Sequence, residues 1–206
     1  TSNATERIIT MTNLPEEKQF LIDFNVQDVA ISAGIEIPDS ASATILDVEE
    51  DDFVAYINEA KQTVAKVATH LLAIEASVAT MVSQLNSYQR VLAIGDSITT
   101  FRYSYARLLN HLLSGVEFIN HGYSGYTSNH GLELTHTRFT QLQPDLVFIK
   151  YGVNDCKLFE GADGRTLVST DEYRGNIRGI IKAFQHYTDA KIVLLTPTPV
   201  VTQIAT

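Results

Sequence analysis

Val91-Leu92-Ala93-Ile94-Gly95-Asp96-Ser97-Ile98 places a continuous apolar run directly before a glycine, a carboxylate and a hydroxyl. A short run that is apolar on both faces fits a strand covered on both sides, as in parallel sheets. The same unit recurs along the chain as Val116-Glu117-Phe118-Ile119, Leu146-Val147-Phe148-Ile149 and Ile192-Val193-Leu194-Leu195. Between these runs, residues 103–113, 131–142 and 171–187 read as helices. Strands alternating with helices indicate the α/β class: a doubly wound parallel sheet with flanking helices. Ligands of such sheets bind beyond the carboxyl ends of the strands. The loops after Ile94, Ile119, Ile149 and Leu195 therefore lie on the edge where chemistry is expected.

Each of the first three loops has a plain reading and a chemical one. At Gly95-Asp96-Ser97-Ile98, Ser97 either caps the next helix or presents its hydroxyl clear of the sheet, with its backbone N–H aimed at the site. At Asn120-His121-Gly122-Tyr123-Ser124-Gly125-Tyr126-Thr127, the two glycines make a tight turn or let the backbone approach a ligand closely. At Tyr151-Gly152-Val153-Asn154-Asp155, Asn154 either forms an Asx-turn or donates its amide to an oxyanion. Three such loops at successive strand ends are harder to attribute to chance than any one of them.

In this order and at these strand ends, Gly-Asp-Ser-Ile, Asn-x-Gly-x-Ser-Gly-x-Thr and Gly-x-Asn-Asp resemble the first three blocks of the GDSL/SGNH hydrolase family. The similarity covers about residues 90–199, including Tyr173-Arg174-Gly175-Asn176-Ile177-Arg178 and Leu195-Thr196-Pro197-Thr198-Pro199. The resemblance implies a flavodoxin-like SGNH hydrolase fold and a serine esterase acting on carbohydrate O-acyl, lipid or small esters, without a cofactor. Ser97 would be the nucleophile. Its own N–H, the Gly125 N–H and the Asn154 amide would form the oxyanion hole, while Asp96 and Asp155 would brace loops.

A serine hydroxyl needs a base, and the family takes one from an Asp-x-x-His motif after its last strand. This chain has no Asp-x-x-His, and the expectation is that it is an incomplete copy of a longer protein. His186-x-x-Asp189 has the reverse order and falls on the opposite edge of the sheet. His121 and His130 flank the second loop on the correct edge, with no orienting carboxylate beside either. His70 lies within the long helix beside a seam position, near its flank, and His111 and His136 read as helix-surface residues. No His, Cys, Asp or Glu cluster has metal-ligand spacing.

Toward the N-terminus, Phe53, Ile57, Ala60, Val64, Val67, Leu71, Ile74, Val78, Met81 and Leu85 alternate spacings of four and three. This heptad rhythm predicts one long helix over residues 51–87, with Asp51 and Asp52 suiting its start. Its seam is covered either by the chain's own α/β domain or by further copies in a homo-oligomeric coiled coil. Residues 1–50 form an N-terminal extension in which 20–33 carry strand-forming composition and Pro38-Asp39-Ser40 signals a turn; the hydrolase domain occupies 88–206. Thr1-Ser2-Asn3-Ala4 is compatible with a vector scar.

The net charge of -9 argues against a nucleic-acid partner, since phosphate backbones are held by clustered Lys and Arg. Cys156 is the sole cysteine, so no intramolecular disulfide forms, and no apolar run is long enough to span a bilayer. The compartment stays open, as does a second reading: a non-catalytic binding module carried on a helical stalk.

Overall fold

The computed structural model describes residues 14–24, 37–158 and 164–197. Its centre is a four-stranded parallel sheet in the order β2-β1-β3-β4, formed by β1 (Arg90–Gly95), β2 (Glu117–Gly122), β3 (Leu146–Lys150) and β4 (Lys191–Leu194). The four apolar runs of the sequence are these four strands. Successive side chains point to opposite faces, so each run feeds two cores. Leu92, Ile94, Val147 and Ile149 pack under α7 (Ser128–Thr137), α8 (Thr170–Tyr187) and the 3-10 turn Phe139–Leu142. Val91, Ala93, Leu146 and Phe148 pack on the other face with Leu85 and with Ala106 and Leu109 of α6 (Tyr105–Leu112). Helices on both faces make the sheet doubly wound.

The register decides which residues share an edge. Gly95 pairs with Gly122 on one side and with Lys150 on the other. Because β1 continues to β2 on one side while its neighbour β3 continues to β4 on the other, the connections leave these adjacent strands in opposite directions, creating a crevice at the carboxyl edge. All three polar loops begin there.

The N-terminal part is helical. The segment expected to begin a strand at Phe20 lies within α1 (Glu16–Asp23), whose first turn carries Glu16 and Glu17; residues 25–33 lie outside the described residues. Pro38 precedes α2 (Asp39–Leu46), so the turn signal is a helix start, where proline's fixed φ is compatible with the first turn. Ile22, Leu46, Phe53, Tyr56 and Ile57 join in a separate small core.

The long helix corresponds to α3 (Glu50–Ile74), followed by α4 (Ala76–Leu85), the two bent by 111° where Glu75 turns extended. This corrects the single helix expected over 51–87. Two physical reasons account for it. A straight α-helix drifts from a strict heptad, and the buried face runs Phe53, Ile57, Ala60, Val64 and then Ala68, leaving Val67 exposed. A straight continuation would also carry Leu85 about 16 Å past Ile74 along the same axis. The bend brings Leu85 back onto the sheet beside Val91 and Ala93. The α3 residues that remain uncovered include Val67 and Ile74, the latter 58% exposed. Among the described residues no single helix is long and apolar enough to cross a membrane.

Candidate active site

Ser97 is the first residue of α5 (Ser97–Thr100), a single turn that starts where β1 ends. Asp96 stands at its N-cap, accepting a hydrogen bond from the Ile98 N–H at 2.9 Å. Helix starts favour such side-chain acceptors because the first N–H groups have no intrahelical partner. The Asp96 carboxyl is fully buried, and burial raises its pKa against the opposing pull of the Ile98 N–H and the Lys150 charge. Gly95 lets this turn sit on the sheet: a Cβ there would lie 2.2 Å from Thr99 Oγ1 and 2.4 Å from the Lys150 carbonyl oxygen. Ser97 itself is half-buried.

The second loop is tied to the first by backbone and side chain. Tyr123 N–H donates to the Gly95 carbonyl at 3.1 Å, and Asn120 Nδ2 donates to the Thr99 carbonyl at 3.1 Å. Gly125 has φ +80°, in the left-handed region, and a Cβ there would meet nothing within 4 Å. Backbone conformation, rather than space, is what calls for glycine at this position.

The third loop locks onto the second. Asn154 is buried and donates one amide hydrogen to the Tyr126 carbonyl at 2.8 Å. A carboxamide has two donor hydrogens, so this bond orients the group and leaves one N–H for another acceptor. Asp155, also buried, accepts from the Ser128 N–H at 3.0 and 3.1 Å and from the Ser128 hydroxyl, bracing the start of α7. Asn176 of α8 completes this network through Ser128 Oγ and Asn129 Oδ1, at 2.9 and 2.7 Å. Asn176 lies in the stretch that resembles the family's next helix, but its partners come from α7, far from it in the chain, so no local pattern announces its role.

A serine hydroxyl, a loop N–H at Gly125 and an orientable amide at Asn154 thus belong to three interlocked loops at one sheet edge. This arrangement can present a nucleophile together with donors for an oxygen on which charge develops.

The two histidines on the same edge have other occupations. His121 is buried, with Nδ1 bonded to the Tyr123 hydroxyl at 2.7 Å and its ring stacked on Phe139 at 5.3 Å. Burial, with a contribution from the Arg138 charge, lowers its pKa to about 4. His130 is exposed and completes a capping box with Thr127, its Nδ1 accepting from the Thr127 N–H at 3.1 Å, while its ring stacks on Tyr126. His186 ends α8 with its ring edge-on to Tyr187, and Asp189 lines a cleft with Ser87, Asp145 and Lys191 at the amino edge of the strands, away from Ser97. His70, His111 and His136 are exposed on their helices. Among the described residues, no group of His, Cys, Asp or Glu has metal-binding geometry.

The model of the GDSL-like lipase/acylhydrolase family matches residues 93–205, just over half of the chain. A GDSL esterase/lipase of Arabidopsis thaliana is 28% identical over 123 residues, covering 54% of this chain and 51% of the relative. The chain thus spans about half the length of the curated relative it matches. Among solved structures, an acetylxylan esterase of Geobacillus stearothermophilus is 24% identical, with 53% of this chain and 59% of that chain covered and a TM-score of 0.41. A GDSL-like lipase of Bacteroides thetaiotaomicron is 26% identical, with coverages of 52% and 47% and a TM-score of 0.40.

Proposed function

Because this chain belongs to the GDSL-like lipase/acylhydrolase family, we propose that it is a serine ester hydrolase working through an acyl-enzyme. Ser97 Oγ attacks the ester carbonyl carbon, and the oxygen that becomes negative is held by the N–H groups of Ser97 and Gly125 and the second amide hydrogen of Asn154. A base takes the Ser97 proton and returns it to the departing alkoxide, releasing the alcohol. Water then attacks the acyl-enzyme, freeing the carboxylic acid and restoring Ser97. The substrate is a carbohydrate O-acyl, lipid or small ester, and no cofactor takes part.

The observation that carries this reading is the interlocking of the three loops, above all the Asn154 to Tyr126 bond that orients an amide beside the Gly125 turn. In the family that the motifs resemble, the base is the histidine of an Asp-x-x-His motif, which residues 1–206 do not contain. A fluorophosphonate probe tests the reading: it should label the full-length protein at Ser97, and Ser97→Ala should abolish labelling. An unlabelled full-length protein that is folded would refute it.

The second reading is a binding module that self-associates through its helical part. Uncovered apolar residues on α3 and α4, including Val67, Ile74 and Met81, favour the self-association. Self-association and hydrolysis are compatible, so the probe decides only between a catalytic and a non-catalytic site.

A further inference from the structure

The end of α1 in the N-terminal extension docks on the two loops that bear Ser97 and Gly125. Three consecutive carbonyls take part: Ile22 accepts from Arg102 Nε at 3.1 Å, Asp23 from the Arg102 N–H at 2.8 Å, and Phe24 from the Ser124 hydroxyl. Arg102 lies just beyond α5, and Ser124 immediately precedes Gly125. The last carbonyls of a helix have no intrahelical donor and favour a nearby cation, so the end of α1 is satisfied by the site loops themselves. The Tyr56 hydroxyl of α3 holds the same corner from behind, donating to Asp23 Oδ1 at 3.0 Å.

This docking carries an aromatic ring to the site. Phe24 stacks on Phe101 at 4.8 Å, and Phe101 meets Tyr103 edge-on at 5.4 Å. Phe101 caps α5 and donates its backbone N–H to the Ser97 carbonyl at 2.8 Å, one helical turn from the nucleophile. Phe24, Phe101 and Tyr103 are all only half-buried, so part of this apolar surface is open to solvent.

We propose that Phe24, delivered by the N-terminal extension, forms with Phe101 an apolar wall of the ester site that binds an apolar group of the substrate. The inference rests on the hydrolase reading for its location, and Phe24 is a specificity residue rather than a participant in bond-making. The apolar group belongs either to the acyl chain or to the alcohol.

The test uses the full-length protein and its Phe24→Leu, Phe24→Tyr and Phe101→Leu variants, each checked for an unchanged melting transition. Hydrolysis of p-nitrophenyl hexanoate against p-nitrophenyl acetate reports on the acyl side; hexyl acetate against ethyl acetate reports on the alcohol side. Phe24→Leu and Phe101→Leu should lower one of these kcat/KM ratios about five-fold or more, through KM, because less apolar surface meets the longer group. Phe24→Tyr, which keeps the ring, should preserve the ratio. Saturation-transfer NMR with hexanoate and hexanol needs no turnover, and the signal of one of them should weaken in the same two variants. Equal losses on long and short esters, or unchanged ratios with unchanged NMR signals, overturn the wall while leaving Ser97 labelling intact. Failure of Ser97 labelling with weakened NMR signals would instead refute the hydrolase reading and keep the wall.

Discussion

Replacing His121 with asparagine should flatten the dependence of folding stability on pH between about 7 and 4.5. The native imidazole is enclosed by Tyr123 and Phe139, and burial together with the Arg138 charge lowers its pKa from 6.5 to about 4. In this window the unfolded chain binds a proton at His121 that the folded chain does not. Stability therefore rises with pH, and it is lost as pH falls from the unfolded pKa toward the folded one. Integrating one proton between these two pKa values gives a loss of about 2.5 kcal/mol on going from pH 7 to pH 4.5. Other groups titrate over the same range, Asp96 and Asp23 with raised pKa values among them, so the informative quantity is the difference between wild type and His121→Asn. Urea unfolding at the two pH values measures it. Asparagine has a hydrogen-bonding side chain and does not titrate, so the wild type should lose about 2.5 kcal/mol more than the variant. Equal losses in the two proteins would mean that His121 titrates normally in the fold and would reopen it as a base.

Two further outcomes follow from the site and from the helical part. Asn154→Ala should lower kcat toward ester substrates by roughly 10²–10³, and it should cost about 1 kcal/mol of stability because the half-buried Tyr126 carbonyl loses its donor; steady-state kinetics on the full-length enzyme and thermal melts separate the two effects. Light scattering should give more than a monomer mass, and Val67→Glu with Ile74→Glu should reduce it, since charges on the uncovered α3 stripe disfavour burying that stripe between copies; a concentration-independent monomer mass in the wild type would rule out self-association through α3.

The four strands and the edge where the polar loops begin were legible because each strand carries an apolar run whose alternate side chains feed the cores on the two faces of the sheet. Val91-Leu92-Ala93-Ile94 and Leu146-Val147-Phe148-Ile149 could hardly be anything else between helical segments. The helical part was read less well, for reasons of periodicity and local composition. The heptad rhythm runs through Glu75 without interruption, and only the need to return Leu85 to the sheet shows why the helix bends there. Phe20-Leu21-Ile22-Asp23 has the composition of a strand, yet Ile22 is buried by helical neighbours that the sequence does not announce.

The site divides along the same line. That Ser97, Gly125 and Asn154 would follow three strands was determined by the order of residues alone, since strand ends and loops are local features. Tertiary structure decided which histidines are occupied, that Asn154 points one amide hydrogen at Tyr126, and that Phe24 comes to rest on Phe101. Each of these is a contact between residues distant in the chain, fixed by strand register and helix docking. No spacing along a single sequence encodes such contacts directly.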